Sequence, residues 1–252
     1  CLYSNVGCLF TEVVNYCQAY QNYDYLYHSG NPVGQRYGLE VTGIFQNQYE
    51  INNSPKQTFG DVRPGDLKYK DQNGDGKIND DDKVSLGSAI PKVTAGLDFG
   101  LNWKGLDFSI SFYGQFGNKV LNAKRMNRDV FPDANYDLDF YENCWRPDRH
   151  SSKYPSAAAY NSSATQQAND FFVEDAWYLR LQNVQVGYTF KDLGTRDIIK
   201  SLRVYLAAQR PYTLFTYNGF TPEVGGSPIA SGIDTSTYPM QAIYTCGLKL
   251  NF

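Results

Sequence analysis

The chain has 252 residues, 42% of them hydrophobic and 15% aromatic, with a net charge of −3, and it holds no run of eighteen or more apolar residues of the kind a membrane-crossing helix needs. The near-neutral balance gives no reason to expect nucleic-acid binding, which needs a basic patch. Cys1, Cys8, Cys17, Cys144 and Cys246 follow no metal spacing such as Cys-x-x-Cys, and an odd number cannot pair completely.

In chain order, Cys1 to Tyr16 is read as at most the end of a strand, and 17–91 as a long loop. Within that loop, Asp71 to Asp82 matches a twelve-residue calcium turn. Oxygen side chains Asp71, Asn73 and Asp75 stand at positions 1, 3 and 5, and Gly76 at the sharp bend. The Lys77 carbonyl follows at 7, Asn79 at 9 and an acid, Asp82, at 12. Oxygen-only ligands in this number favour a structural Ca2+ over zinc, copper or magnesium. Two departures stand out: position 12 is Asp rather than the longer Glu, and extended stretches, not helices, flank the turn.

Residues 92–116 read as a hairpin. Val93, Ala95, Leu97, Phe99, Leu101 and Trp103 alternate with Thr94, Gly96, Asp98, Gly100 and Asn102. Beyond Lys104-Gly105, Leu106, Phe108, Ile110, Phe112, Gly114 and Phe116 alternate with Asp107, Ser109, Ser111, Tyr113 and Gln115. Period two gives each strand one apolar and one polar face. At ~3.3 Å per residue and ~45° of tilt, such strands cross the ~25 Å apolar band of an outer-membrane barrel. A mean hydropathy of −0.50 is compatible with that, because half the residues of a barrel strand are polar.

A long loop at 117–175 precedes a second hairpin at 176–216, whose face parity slips at Gln182-Asn183 as a β-bulge would make it. Another loop at 217–240 leads to a final strand at 241–252, with Tyr244, Cys246, Leu248, Leu250 and Phe252 on its apolar side. Aromatics near strand ends (Trp103, Phe116, Trp177, Tyr178, Phe190, Phe215, Phe252) fit the girdles at the headgroups. Short turns on one side, expected in the periplasm, and long extracellular loops on the other complete a membrane β-barrel pattern. The fold class is therefore all-β, with five or six long antiparallel strands of a barrel. Around eight strands are needed to close one, so the chain is expected to be the C-terminal piece of a larger protein.

Thr245, Gly247, Leu250 and Phe252 fit the polar, Gly, apolar, aromatic pattern of a signal for the barrel-assembly machinery. Tyr141, Trp145, Tyr154 and Tyr160, in the 117–175 loop, are the candidates for contact with substrate or a lid, against the plainer reading that they pack within a large structured loop. His28 and His150 have no Ser-acid or Cys neighbours in sequence that suggest catalysis, so no enzyme is expected. Asn52-Asn53-Ser54 and Asn161-Ser162-Ser163 match glycosylation sequons, a pattern too short to weigh heavily.

Gly30-Asn31-Pro32-Val33-Gly34-Gln35-Arg36-Tyr37-Gly38, Gly43-Ile44-Phe45-Gln46-Asn47 and Pro64-Gly65-Asp66-Leu67-Lys68-Tyr69-Lys70-Asp71 occur together with Tyr217-Asn218-Gly219-Phe220-Thr221-Pro222-Glu223-Val224 and Tyr238-Pro239. As a set they resemble the SusC/RagA family of TonB-dependent outer-membrane transporters, with Thr221 where that pattern has Asp. The resemblance implies a 22-stranded barrel holding a plug, and a SusD-like surface lipoprotein as lid. It also implies energy delivered through TonB and import of glycans or peptides across the bacterial outer membrane. Asp98, Asn102, Asp107, Ser111, Tyr113, Gln115, Arg203, Tyr205 and Gln209 would line the lumen. The competing readings are a secreted, calcium-stapled β-sandwich that binds carbohydrate, which requires shorter strands, and a passive porin, which needs no energy coupling.

Overall fold

The computed structural model describes residues 35–126, 138–160, 162–191, 200–225 and 232–252. Cys1, Cys8, Cys17, any strand before Tyr16, His28, the 30–34 stretch of the first motif, Asn161 and the 192–199 connection lie outside the described residues. In order, the strands are β1 (Gln35–Gly38), β2 (Val41–Ile44), β3 (Lys56–Gln57), β4 (Leu67–Tyr69), β5 (Lys77–Ile78), β6 (Val84–Ser88), β7 (Val93–Trp103) and β8 (Leu106–Phe116). They continue with β9 (Lys119–Leu121), β10 (Val173–Asp175), β11 (Tyr178–Lys191), β12 (Ser201–Phe215) and β13 (Ile243–Asn251). Short helices are α1 (Gln48–Asn52), α2 (Ala123–Met126), α3 (Leu138–Asn143) and α4 (Ala157–Tyr160). Two compact units result, one drawn from 1–90, 119–174 and 224–236, the other from 91–118, 175–223 and 237–252.

The second unit is one antiparallel sheet in the order β13-β12-β11-β8-β7. β7 and β8 pair in unbroken register from Val93 opposite Phe116 to Trp103 opposite Leu106. Their two-residue turn places Lys104 at φ 47° and Gly105 at φ 93°, the left-handed pair whose twist matches that of the strands it joins. The register of β11 shifts between Leu181 and Asn183 against both neighbours; against β8, Gln182 is the extra residue that reverses face parity, and against β12 it faces two residues, Arg210 and Pro211. Opposite it on β12, Arg210 takes φ 51° beside Pro211. Proline has no N–H for a ladder, and the strand tolerates it because β13 stops pairing at Ile243, opposite Gln209.

The first unit departs from a plain pair of loops. Small two-stranded sheets join β1 to β6, β2 to β4 and β3 to β5, and two apolar clusters fill it. One contains Leu39, Ile44, Leu67, Tyr69, Ile78 and Trp145; the other contains Leu121, Ala123, Met126, Phe140, Cys144, Tyr154 and Phe172. Arg36 is buried and donates from Nη1 to the Lys119 carbonyl at 3.1 Å and from Nη2 to the Gly232 carbonyl at 2.6 Å. One guanidinium thereby ties three distant stretches of chain, which accounts for its place in the first motif.

Candidate functional site

The five-stranded sheet carries residues in alternating rows that belong to opposite faces. Phe99, Ile110, Val184, Ala208 and Tyr244 are cross-strand partners in one row, and Leu101, Phe108, Val186, Leu206 and Cys246 in the next on the same side. The rows between them read Gly100, Ser109, Gln185, Ala207, Thr245 and Asn102, Asp107, Gly187, Tyr205, Gly247. Ala95, Leu97, Phe99, Leu101, Phe108, Ile110 and Phe112 thus share the apolar face. On it Leu97 is 66% exposed, Leu206 57% and Leu248 70%. A contiguous apolar face of this extent marks a surface adapted to something other than water. Phe116 stacks on Trp177 at 6.3 Å near one end of the strands, and Lys104 lies over Trp103 at the other, the amphipathic chemistry of a membrane interface.

The polar face is built as an ordered network. Arg203 grips Asp107 with two donors, Nε to Oδ1 at 2.9 Å and Nη2 to Oδ2, and its guanidinium lies 4.9 Å from the Tyr205 ring centre. A Cβ on Gly187 would sit 2.6 Å from the Asp107 carboxylate and 2.8 Å from Arg203 Nη2, so glycine there leaves the space the pair occupies. Near the long-loop end, Tyr178 and Arg180 are buried and both donate to Glu223, Arg180 from Nη2 at 2.7 Å. Arg180 Nε also donates to Thr213 Oγ1 at 3.2 Å. Thr221 Oγ1 accepts from the Glu223 N–H at 3.3 Å, a local turn contact that an Asp at this position would also supply. Tyr178, Arg180 and Glu223 were not singled out as a set by the sequence; 43 residues separate the Arg180–Glu223 pair, and no periodicity links them.

In the first unit, the Asp71 to Asp82 turn is closed by its own amides. Asp71 accepts from the Gly74 and Gly76 N–H groups, Asn73 from Asp75, Asp75 from Lys77 and Asn79 from Asp81. Asp82 is fully buried and accepts from the N–H groups of Gln72 and Asn79 at 2.8 and 2.9 Å, as half of a capping box with Asn79. Its first role is thus to close the turn, which the twelve-residue spacing did not anticipate. Gly76 takes φ 79°, the bend the calcium spacing asks of it. Among the described residues no three His, Cys, Asp or Glu side chains converge as a metal cluster. The remaining donors are amide and carbonyl oxygens, and an ionised carboxylate bonded to two N–H groups keeps lone pairs free.

The loop aromatics separate. Trp145 and Tyr154 are 7% and 8% exposed and belong to the two apolar clusters. Trp145 Nε1 donates to Gln46 Oε1 at 3.1 Å. For these two the packing reading fits and contact with an incoming molecule does not, because their rings are consumed by the core. Tyr141 is 60% exposed; the side chain of Tyr160 lies outside the described residues. Close by, the Gln46 N–H, then Lys68, hold the Glu50 carboxyl below its usual range. Burial pushes the Asp66 carboxyl up, against the Arg63 N–H that favours its charged form.

At the last strand, Thr245 and Gly247 fall on the polar face and Leu250 on the apolar one; Phe252 is 72% exposed. A Cβ on Gly247 would fall within the ring of Tyr205, its cross-strand partner. Cys144 is a buried free thiol and Cys246 an exposed one on the apolar face.

No family model matches the chain. It is 33% identical over 224 residues to TonB-dependent receptor P26 of Formosa agariphila, covering 85% of this chain and 22% of that protein. It is 27% identical over 212 residues to TonB-dependent receptor SusC of Bacteroides thetaiotaomicron, covering 83% of this chain and 19% of SusC. Among solved structures, the RagAB peptide transporter superposes with a TM-score of 0.67 at 22% identity, over 91% of this chain and 23% of that one. The closed-closed state of the RagAB peptide importer gives 0.66 at 22% identity, over 90% and 25%. The chain spans about a fifth to a quarter of the length of these relatives.

Proposed function

The chain is homologous to a stretch of the SusC-type TonB-dependent receptors and forms part of a transmembrane β-barrel, and from that premise we propose that it is barrel wall and surface loops of an outer-membrane importer. The importer takes up glycans or peptides beneath a SusD-like surface lipoprotein and draws its energy through TonB. The observation that carries this reading is the two-faced sheet. Strands of 11 residues reach ~25 Å across a membrane when tilted, with the apolar rows toward lipid and the Asp107–Arg203 side toward the lumen. Further strands would continue the sheet at β7 and β13, whose outer edges are unpaired among the described residues and would otherwise invite aggregation. A short-stranded secreted sandwich accounts less well for the long rows of exposed apolar side chains.

Two smaller assignments belong to the same reading. Thr245, Gly247, Leu250 and Phe252 serve as the signal read by the barrel-assembly machinery. The 71–82 turn lies on the outside of the cell and takes one Ca2+ through Asp71, Asn73, Asp75, the Lys77 carbonyl and Asn79, with Asp82 closing the turn behind it.

Uptake tests the reading. The full-length protein and its lipoprotein are expressed in cells with and without TonB, and accumulation of labelled oligosaccharides and peptides is measured. Import that needs both the protein and TonB is the expected result. Import that persists without TonB would make the barrel a passive pore.

A further inference from the structure

The stretch from Phe45 to Val62 folds around a cavity of about 340 Å³ that opens to solvent. Its frame is hydrogen-bonded throughout. The two ends of the stretch meet, the Phe45 N–H donating to the Asp66 carbonyl at 2.9 Å and the Gly65 N–H to the Phe45 carbonyl at 2.7 Å. On one side α1 is capped by Asn47, whose Oδ1 accepts the Glu50 N–H at 2.8 Å. On the other, β3 pairs in parallel with β5, and the Thr58 N–H donates to the Ile78 carbonyl at 3.1 Å. The hollow is therefore formed before anything enters it, as ligand pockets usually are.

Three groups on its wall have bonding capacity left over. Lys56 and Asp61 both line the cavity and both are exposed. Among the described residues neither side chain has a hydrogen bond or an ion pair, and the two do not bridge to each other. Gln57, also on the wall, is 5% exposed; its Nε2 donates to the Leu67 carbonyl at 2.9 Å, while its Oε1 has no partner among the described residues. A buried acceptor is seldom left in that state. Ile51, Pro55 and Val62, all half-buried, supply the apolar part of the lining.

This set selects a class of ligand. The aromatic residue of the cavity, Phe45, is 1% exposed, so it offers no ring face on which a sugar would stack, and a neutral sugar would leave both charges unmatched. An ammonium and a carboxylate held on one small molecule match them both, through charge-assisted hydrogen bonds that also fix its orientation. We propose that the cavity binds a small zwitterion with an apolar side chain, an α-amino acid or a dipeptide. Its carboxylate lies on Lys56, its ammonium on Asp61 and its side chain against Ile51, Pro55 and Val62. An N–H of the ligand, directly or through one water, completes Gln57 Oε1. The site belongs to a single stretch of the first unit and stands whether or not the transport reading does.

Equilibrium dialysis of the full-length protein in detergent micelles, with assembly checked by heat-modifiable gel mobility, measures the binding of tritiated leucylleucine. Saturable binding in the millimolar range or below is expected, weakened about tenfold or more when the dipeptide is acetylated at one end and amidated at the other, because each lost contact is one to a charged group. Lys56→Gln and Asp61→Asn should each weaken leucylleucine by about tenfold. Neither exposed side chain has a partner to lose, so both variants should assemble; if one does not, the other decides. Glycylglycine should bind more weakly than leucylleucine, for want of apolar contact. Binding that both variants leave unchanged would put the dipeptide elsewhere on the protein and overturn the inference. Equal binding of the free and the blocked dipeptide would overturn it too, as would displacement of leucylleucine by maltose, which would make the cavity a sugar site. No saturable binding at millimolar dipeptide would show the cavity to be solvent-filled surface and nothing more.

Discussion

Gly247 shows how single residues set the geometry of the polar face. It lies directly opposite Tyr205, whose ring fills the space a side chain would need. Gly247→Ala is expected to displace that ring and to cost about 1–3 kcal/mol, the usual range for forcing extra volume into an occupied site. The urea midpoint of the assembled barrel, followed by gel mobility, measures the loss. In a Tyr205→Ala background the same substitution should be nearly free, since the two residues are in contact and their effects couple. An equal loss in both backgrounds would show that the ring is not what glycine accommodates. On β11, Gly187 has the matching role and leaves room for the Asp107–Arg203 pair.

Among the elements, the 71–82 turn has the clearest test. Its side chains already satisfy the backbone N–H groups of the loop, so the turn has a fold of its own and an ion would add stiffness rather than create the shape. Extracellular sites of this kind bind at ~10⁻⁴ to 10⁻³ M. Millimolar calcium is expected to slow protease nicking around Asn79 several-fold relative to chelator. Equal rates would reduce the segment to a hydrogen-bonded acidic turn. Asn79→Ala removes one proposed ligand together with its contact to the Asp81 N–H, and should abolish the calcium effect on nicking.

Elements of this size also explain what the sequence disclosed and what it hid. β7, β8, β11, β12 and β13 were legible because each repeats a two-residue period over 9 to 15 residues, long enough for alternation to stand above chance. The bulge at Gln182 was legible for the same reason, as a break in that period. The first unit was not. Its strands β1 to β6 have 2 to 5 residues each, and its clusters join positions as distant as Leu39 and Trp145, which no local pattern connects. For that reason the sequence left Trp145 and Tyr154 open between packing inside the loop and contact with an incoming molecule, and only the structure shows which core each one joins. Glu223 stood inside a recognised motif, yet its partners Tyr178 and Arg180 appear only once β11 is placed beside β12.

At the scale of the whole molecule, the central claim is that the five-stranded sheet separates lipid from lumen. An arginine at the bilayer midplane on the lipid side costs roughly 2–4 kcal/mol, and much less on the lumen side. Leu97 and Asp98 are adjacent on β7 and belong to opposite rows, Leu97 opposite Phe112 and Asp98 opposite Ser111. The two positions share strand, depth and neighbours along the chain, and differ in the face they occupy. The most direct measurement is the amount of heat-modifiable, assembled full-length protein in the outer membrane for Leu97→Arg and for Asp98→Arg. The expected result is strongly reduced assembly for Leu97→Arg and near wild-type assembly for Asp98→Arg. Equal tolerance of arginine at both positions would contradict the assignment of this sheet to a membrane wall.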